Sequence, residues 1–371
     1  FWRLENGWDG LNGPLYSIDQ ITDGTLICVG EQGLLVGREQ GHSATIDVFP
    51  WPEGFPTPDR SVVHQLSDDE STFVVGMRDE TVSFDLARKQ FGRIDVSFPP
   101  FVEKVVGASP DGLIWVVGKT AGSIDEGVSV FICDHDGYRS VLDEQGMQEI
   151  GNVVYFAERV SPSQIWIGGA RGMVLVQGES KKVFSLSQGF PADRAFCVTM
   201  LSDGPLLCGA GGILLKYDGR RWTAVRRGLG FIHSIFEGLD KSVWIATSTG
   251  LYRWRTDSWI QLGRQEGLRA DKIFDLFQDL SGRIRLATSD GLFVGEEGVD
   301  IDAPIARFRD PEGVRGLTVG DTLKVDFEGI DKWSYTDADR LVYAFKLDSG
   351  EWSAFEDRDS LELSKLTAGD H

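Results

Sequence analysis

Short apolar runs, each ending in small residues and followed by a tight turn, recur along most of the chain. Three copies carry a tryptophan, at residues 112–118, 164–169 and 242–247. Four weaker copies lie at residues 26–30, 72–76, 205–209 and 283–288. The copies follow one another at intervals of roughly 37 to 50 residues, around the period of one blade of a β-propeller. The repeat therefore predicts a propeller.

One repeat, residues 231–262, shows the pattern inside a blade. Runs rich in β-branched or aromatic residues lie at 231–236, 243–247, 251–254 and 258–262. Gly and Asp residues separate the runs, and these are the residues that tight hairpin turns need. Each repeat is therefore predicted to form a sheet of four short antiparallel strands, with its tryptophan packed between blades.

The beginning of the sequence supplies the blade count. Residues 1–11 resemble residues 258–268, which read as a fourth strand and the linker that follows it. The seventh repeat ends near Gly295 and lacks a fourth strand of its own. We therefore predict seven blades, with the N-terminal strand completing the last one and covering the strand edges that an open array would expose.

The pattern changes after residue 303. Alternating runs at 304–309, 321–327, 341–347 and 351–355 predict a small second β domain. The predicted fold is all-β: a seven-bladed β-propeller over residues 1–303, closed by the N-terminal strand, and a small immunoglobulin-like β-sandwich over residues 304–371. Because the last residues read as a turn, we expect the sandwich to be incomplete, with a final strand still to follow.

The charge of the chain narrows the range of partners. The sequence has 57 acidic and 37 basic residues, a formal net charge of −20. This balance argues against nucleic acid or an anionic membrane surface as a partner, because either would be repelled. No apolar run is long enough to span a bilayer and no leader opens the sequence. The protein is either cytoplasmic or has its leader and anchor outside this sequence.

Residues with reactive side chains form no recognisable catalytic pattern. The four cysteines, Cys28, Cys133, Cys197 and Cys208, lie in apolar runs without metal-ligand spacing and are predicted to be buried free thiols. Residues 109–115 resemble an Asp-box turn but are one residue short, and residues 134–137 resemble half of a calcium loop. We predict hairpin turns at both places. The sequence predicts no catalytic residue, no metal ligand and no cofactor.

The order of the two parts resembles a known family. The repeats are similar to the regulator-propeller repeats in the extracytoplasmic sensor regions of two-component histidine kinases, although Cys28, Phe73, Leu206 and Ile284 stand near the usual tryptophan position. The tail resembles the small Y_Y_Y sandwich domain that follows such propellers. The tail matches lie at residues 327–333, 340–348, 351–353 and 366–369.

This resemblance implies a periplasmic, non-catalytic sensor region. A ligand would bind to the propeller, and the sandwich would pass the signal on to one membrane helix and a cytoplasmic output module, both absent from this sequence. The resemblance favours a homodimer in the full-length receptor, with ligand binding changing how the two tail domains pack. The output module and the oligomeric state of this fragment stay open. Whether the last sandwich strand is disordered, swapped or deleted is also open.

A propeller presents one face built from its interblade linkers and the loops between second and third strands. The polar residues predicted there are Arg60, Arg78, Lys119, Arg171, Arg194, His233, Lys272 and Asp290. Converging polar groups on such a face are the ligand-site hypothesis, for a small molecule or an oligosaccharide. The cations among them favour an anionic ligand or a sugar acid.

Two other functions remain open at this stage. Glycosidases and polysaccharide lyases also use propellers, and would need acid and base residues on the same face. Propellers also serve as protein-interaction scaffolds, which would bind a protein partner and no small molecule. Turnover of an oligosaccharide would establish the first of these, and capture of a protein partner would favour the second.

Overall fold

Four-stranded antiparallel sheets repeat seven times along the first of two units of the chain, Phe1–Glu297. The computed structural model describes residues 2–4, 13–40, 43–53, 62–65, 72–76, 81–92, 94, 96–109, 112–120, 128–161, 163–255, 258–295, 304–309, 322–331, 338–364 and 366–370. Each sheet is one blade, and in six of the seven the strands follow one another in chain order from the innermost strand outwards. The predicted seven-bladed propeller is confirmed.

The strands are numbered in chain order, beginning with β1 at Trp2–Leu4. Blade 1 contains β2 Leu15–Gln20, β3 Leu26–Gly30, β4 Gly33–Gln40 and β5 Ser43–Pro50. Blade 2 contains β6 Val62–Gln65, β7 Thr72–Gly76, β8 Thr81–Asp85 and β9 Gln90–Gly92. Blade 3 contains β10 Phe101–Ala108, β11 Ile114–Lys119, β12 Ser129–Cys133 and β13 Tyr138–Leu142, and is followed by helix α1 Glu144–Glu149.

The remaining blades follow the same plan. Blade 4 contains β14 Val154–Ser161, β15 Gln164–Gly169, β16 Gly172–Gln177 and β17 Ser180–Phe184. Blade 5 contains β18 Cys197–Met200, β19 Leu206–Ala210, β20 Ile213–Tyr217 and β21 Trp222–Arg227. Blade 6 contains β22 Ile232–Glu237, β23 Val243–Thr247, β24 Gly250–Arg255 and β25 Ser258–Leu262. Blade 7 contains β26 Ile273–Gln278, β27 Ile284–Thr288, β28 Gly291–Gly295 and, as its fourth strand, β1.

The N-terminal strand closes the ring, as the sequence predicted. β1 pairs antiparallel with β28, and Trp2 stands opposite Gly295. Trp2 is only 4% exposed and packs edge-on against Trp244 of blade 6, with ring centroids 6.2 Å apart. The first and last parts of the propeller sequence therefore share one sheet, and the edge of β28 is covered.

Large side chains fill the space between consecutive blades. Trp166 of blade 4 packs against Tyr217 and Trp222 of blade 5, at centroid distances of 5.8 and 6.0 Å. Trp115 of blade 3 belongs to a buried cluster that includes Ala157 of blade 4. The predicted packing role of the tryptophans is confirmed. Each such ring contributes roughly 2–3 kcal/mol by its burial.

Polar contacts repeat at three of the blade-to-blade seams. The last residue of an innermost strand accepts a hydrogen bond from a backbone N–H in the first turn of the preceding blade. These pairs are Gln20 Oε1 with Leu280 (2.8 Å), Gln278 Oε1 with Leu239 (2.8 Å) and Glu237 Oε2 with Ser202 (2.7 Å). The same position of the repeat thus fixes the register between neighbouring blades.

The cysteines are free thiols in the interior of the blades. Cys28, Cys133 and Cys208 are buried as predicted, and Cys197 is half-buried. Burial raises the pKa of the Cys133 and Cys197 thiols to about 12 in each case. They therefore act as small apolar side chains at neutral pH.

The second unit, Gly298–His371, is a smaller β structure. Its described sheet has the order β29 Ile305–Phe308, β30 Leu323–Ile330 and β31 Ser360–Leu363. The first two strands were predicted, but the third was not. The predicted boundary after residue 303 borders residues outside the described part of the chain and stays a prediction. No helix among the described residues is long and apolar enough to cross a membrane.

The prediction of regular strands in this unit is wrong at residues 341–347 and 351–355. The segments are joined by an isolated bridge between Tyr343 and Glu356 and by the N–H of Ser353 bonding to the carbonyl of Phe345 at 2.8 Å. The N–H of Phe345 instead bonds to the Ser353 hydroxyl at 3.0 Å. A side chain therefore takes the place of a backbone acceptor, and the ladder is interrupted.

Replacing Trp2 by alanine is expected to lower the free energy of unfolding by about 3–5 kcal/mol, because it leaves a cavity at the closing seam. Guanidinium unfolding followed by far-UV circular dichroism measures this. The matched control is Trp352→Ala in the second unit, where the side chain is 67% exposed and the change should stay within about 0.5 kcal/mol. Equal effects of the two substitutions would contradict closure through Trp2.

Candidate functional site

The loops between second and third strands lie on the same side of the propeller as the interblade linkers. The N–H of Arg171, in the β15–β16 turn, bonds to the carbonyl of Ile150 in the preceding linker at 2.8 Å. In blade 7 the N–H of Ser289 bonds to the carbonyl of Lys272 at 3.0 Å. We call this side the upper face.

Six of the eight predicted site residues lie at this face. Lys119 ends β11, Arg171 and Asp290 lie in second-to-third-strand turns, Arg194 and Lys272 lie in linkers, and His233 is the second residue of β22. Arg60 and Arg78 lie outside the described residues. Within the described part of the chain, no hydrogen bond or ion pair joins any two of the six. Their role in ligand binding stays a prediction.

Aromatic side chains form a continuous row at the upper ends of the innermost strands. We call this row the aromatic arc; it consists of Tyr155, Phe196, Phe231, His233, Phe274 and Tyr16. Successive ring centroids lie 4.5, 4.3, 4.8, 5.5 and 5.3 Å apart. The arc runs through blades 4, 5, 6, 7 and 1, and each of its side chains is half-buried.

A repeated β-bulge places these side chains. In β2, Leu15 stands opposite Gly30 and Ser17 opposite Val29, so that Tyr16 has no partner of its own. The same shift skips Tyr155 in β14, His233 in β22 and Phe274 in β26. A bulge takes its extra residue out of the strict alternation of a strand and redirects the side chain. Since the bulge recurs at one repeat position, the aromatic rings meet around the propeller axis.

Blade 3 departs from the aromatic pattern at the same position. Its innermost strand has the bulge between Val102 and Lys104, and the skipped residue is Glu103, which is exposed. Blade 3 therefore has a carboxylate at the repeat position where blade 4, its neighbour, has Tyr155.

Asp275 holds the blades together just below the arc. Its carboxylate accepts hydrogen bonds from the Ser17 hydroxyl at 3.1 Å and from the Ile18 N–H at 3.2 Å, both in blade 1. The Ser234 hydroxyl of blade 6 also bonds to it. Desolvation by the surrounding protein raises the pKa of this carboxyl, and these hydrogen bonds oppose the rise. Blades 6, 7 and 1 are thus joined at one side chain.

Glu158 lies three residues beyond Tyr155 on the innermost strand of blade 4. Glu158 is exposed to solvent, although many protein atoms lie around its carboxyl group. Desolvation raises the pKa of its carboxyl from the ordinary value of 4.5 to about 7. A partly protonated carboxyl at neutral pH therefore lies near the arc.

The turn chemistry at residues 134–137 agrees with the sequence. Asp134 accepts hydrogen bonds from the N–H groups of Asp136 and Gly137, each at 2.9 Å, in the hairpin between β12 and β13. This is an Asx-type turn. Within the described ranges, no group of three or more His, Cys, Asp or Glu residues could hold a metal ion.

The sequence reasoning singled out only His233 from the arc. The signal was present, because the second residue of the innermost strand is aromatic or His in four repeats and Phe196 directly precedes the innermost strand of a fifth. These residues are Tyr16, Tyr155, Phe196, His233 and Phe274. Half-buried aromatic rings in a row can bind the flat apolar face of a sugar ring or of another aromatic ring.

No protein-family model matches the chain, and no curated protein matches it either. Several solved structures match the chain. The extracellular domain of the putative hybrid two-component system BT3049 from B. thetaiotaomicron has a TM-score of 0.59 at 15% identity, covering 92% of this chain and 50% of that one. The corresponding domain of BT4673 from B. thetaiotaomicron has a TM-score of 0.57 at 14% identity, covering 97% and 53%.

The chain has the fold of these sensor domains. It spans about half of their length. The expected resemblance to extracellular regions of two-component systems is thus confirmed at the level of fold. Virginiamycin B lyase from Staphylococcus aureus is also similar, with a TM-score of 0.57 at 15% identity, covering 79% of this chain and 99% of the lyase.

The raised pKa of Glu158 predicts a specific pH dependence. Between pH 4.5 and about 7 the folded protein holds a proton that the unfolded chain releases, so stability should fall as the pH rises through this window. The variant Glu158→Gln should not show this fall in stability. Its free energy of unfolding should therefore rise relative to that of the wild type up to about pH 7, and the difference should stay constant above that pH. Thermal unfolding at a series of pH values measures it. Glu149→Gln on exposed α1 is the control, and an equal gain there would contradict the assignment to Glu158.

Proposed function

We propose that this chain is the ligand-binding part of an extracytoplasmic sensor in a two-component signalling receptor. The ligand, a small molecule or an oligosaccharide, would bind on the aromatic arc without being chemically changed. The second unit would pass the binding signal to a membrane segment and an output module. The aromatic arc is the observation that carries the proposal.

The arc suits binding because its rings are positioned before a ligand arrives. Each ring contacts the next, and the bulges that direct four of them are built into the strand ladders. Side chains that are already ordered lose little conformational entropy on binding. Contact with several rings also gives a sugar ring or an aromatic ligand a large apolar area to bury.

The extent of the structural likeness favours a sensor over an enzyme. The two sensor domains match 92% and 97% of this chain, so the match extends into the second unit. Virginiamycin B lyase matches 79%, about the share that the propeller makes up. The propeller alone is common to both functions, and the second unit supports the sensor. A periplasmic location and a homodimer in the full-length receptor belong to the same proposal.

Removing rings from the arc is expected to abolish ligand binding without unfolding the protein. A thermal-shift screen of neutral oligosaccharides, sugar acids and amino acids identifies the ligand, since a ligand that binds only the folded state raises the melting temperature. Calorimetry should then show that Phe196→Ala and Phe274→Ala each weaken its affinity by about tenfold or more. Trp352→Ala, an exposed aromatic in the second unit, should leave the affinity unchanged.

The other outcomes separate the alternatives. Product formed from a bound oligosaccharide would replace the sensor by a lyase or glycosidase. A ligand that is insensitive to the arc variants but lost in Arg171→Gln or Arg194→Gln would move the site to the rim of the upper face. Capture of a protein partner with no small-molecule hit would support a scaffold.

A further inference from the structure

An open cleft of about 690 Å³ lies at the outer edge of blades 3 to 5. Helix α1 forms one wall, strand β17 the floor, and the turn between β20 and β21 the other wall. We call it the outer cleft. Its cationic side chains are Lys181, Lys182, Arg220 and Arg221, and its carboxylates are Asp143 and Glu149.

Lys182 is held in place by aromatic groups. Its Nζ donates a hydrogen bond to Tyr217 Oη at 3.0 Å and lies 4.9 Å from the Phe184 ring centroid and 5.5 Å from that of Tyr217. Tyr217 Oη in turn donates to the carbonyl of Gly219 at 2.9 Å. No carboxylate among the described residues pairs with this ammonium group. The charge is positioned but not neutralised.

Arg220 is the second cation without a counter-ion. Its backbone N–H bonds to Asp218 Oδ1 at 2.8 Å, which fixes the turn, while its guanidinium has no hydrogen bond or ion pair within the described part of the chain. The neighbouring cations differ, since Arg221 lies 3.8 Å from Asp218 and Lys181 lies 3.3 Å from Asp143.

Other described cations, Arg171, Lys216 and Lys272 among them, also have no carboxylate partner. The cleft differs from their surroundings because the Lys182 ammonium is held in one position by Tyr217 and Phe184. An ammonium fixed by aromatic rings keeps its charge available to a ligand, whereas one fixed by a carboxylate does not. Arginine adds a planar donor fork that matches a carboxylate, sulfate or phosphate group.

We propose that the outer cleft binds the anionic group, a sulfate, phosphate or carboxylate, of a small-molecule ligand. Lys182 supplies a fixed point charge and Arg220 a fork of N–H donors. The cleft volume of about 690 Å³ lies within the range of small-molecule sites, so it has room for a ligand larger than the anionic group alone. This site lies on the outer strands of blades 4 and 5, whereas the arc lies on the innermost strands.

Calorimetry with four probes tests the proposal on the whole chain. N-acetylglucosamine 6-sulfate, N-acetylglucosamine 6-phosphate and glucuronate are compared with unsubstituted N-acetylglucosamine. At least one anionic probe should bind at least tenfold more tightly than the neutral sugar, and which one does so identifies the anionic group. Its affinity should fall with added salt, because the contacts are between charges.

Substitutions then locate the site. Lys182→Gln and Arg220→Gln should each lower the affinity for the anionic probe by about tenfold. The control pair, Lys216→Gln and Arg227→Gln, removes the same charge from blade 5 outside the cleft and should change the affinity less than twofold. Tyr217→Phe removes the hydroxyl that orients Lys182 and should weaken binding in part. Arg220 is exposed, so its variant tests the site even if Lys182→Gln impairs folding.

Three results would overturn the proposal. Equal affinity for the neutral sugar and the anionic probes would show that the cations of the cleft do not select an anionic group. Equal losses in the control variants would show a general effect of charge. If Phe196→Ala abolishes binding of the anionic probe, the probe binds on the arc. If this variant still binds the probe, the outer cleft is a site separate from the one that the proposed function places on the arc.

Discussion

The pairing of the first strand with the last propeller strand is the constraint on which the rest of the fold depends. β1 and β28 come from opposite ends of the propeller sequence, and their ladder from Trp2 to Leu4 closes seven sheets into a ring. Closure gives blade 7 its fourth strand and makes blades 7 and 1 neighbours. Tyr16 and Phe274 can then come within 5.3 Å although 258 residues separate them. The contact that extends the aromatic arc into blade 1 is thus a consequence of closure.

Apolar burial and directional bonds have different roles at the seams between blades. Buried apolar side chains, the tryptophans of three second strands among them, stabilise the seams by the area that they remove from water. Burial alone permits one blade to slide along the next. The hydrogen bonds of Gln20, Gln278 and Glu237 to turns of the preceding blades, together with the three-blade contacts of Asp275, fix that position. The arc needs this precision because its rings touch across blades.

Features set by local sequence were predictable, and features set by distant contacts were not. Repeated tryptophans and Asp-Gly turns predicted the blades, and the likeness of residues 1–11 to 258–268 predicted the closure. The arc was missed because a bulge breaks the two-residue alternation at Tyr16 and its equivalents, so that alternation does not tell where the ring points. The hairpin at 341–356 was overpredicted because the Ser353 hydroxyl replaces a ladder acceptor. The cleft was missed because its walls come from three blades.

The arc and the outer cleft differ in the charged groups around them. The sequence favoured an anionic ligand on the upper face because of the cations predicted there, and that preference stays a prediction. Blade 3 has Glu103 at the repeat position of the arc residue Tyr155 in blade 4, and Glu158 lies near the arc. An anion bound there would be repelled by the first carboxylate and would favour the protonated form of the second. A neutral ring is the better match for the arc. Lys182 and Arg220, neither of which has a carboxylate partner among the described residues, lie in the outer cleft. The two sites therefore differ in chemistry: the arc offers apolar ring faces to a neutral ring, and the outer cleft offers cations to an anionic group.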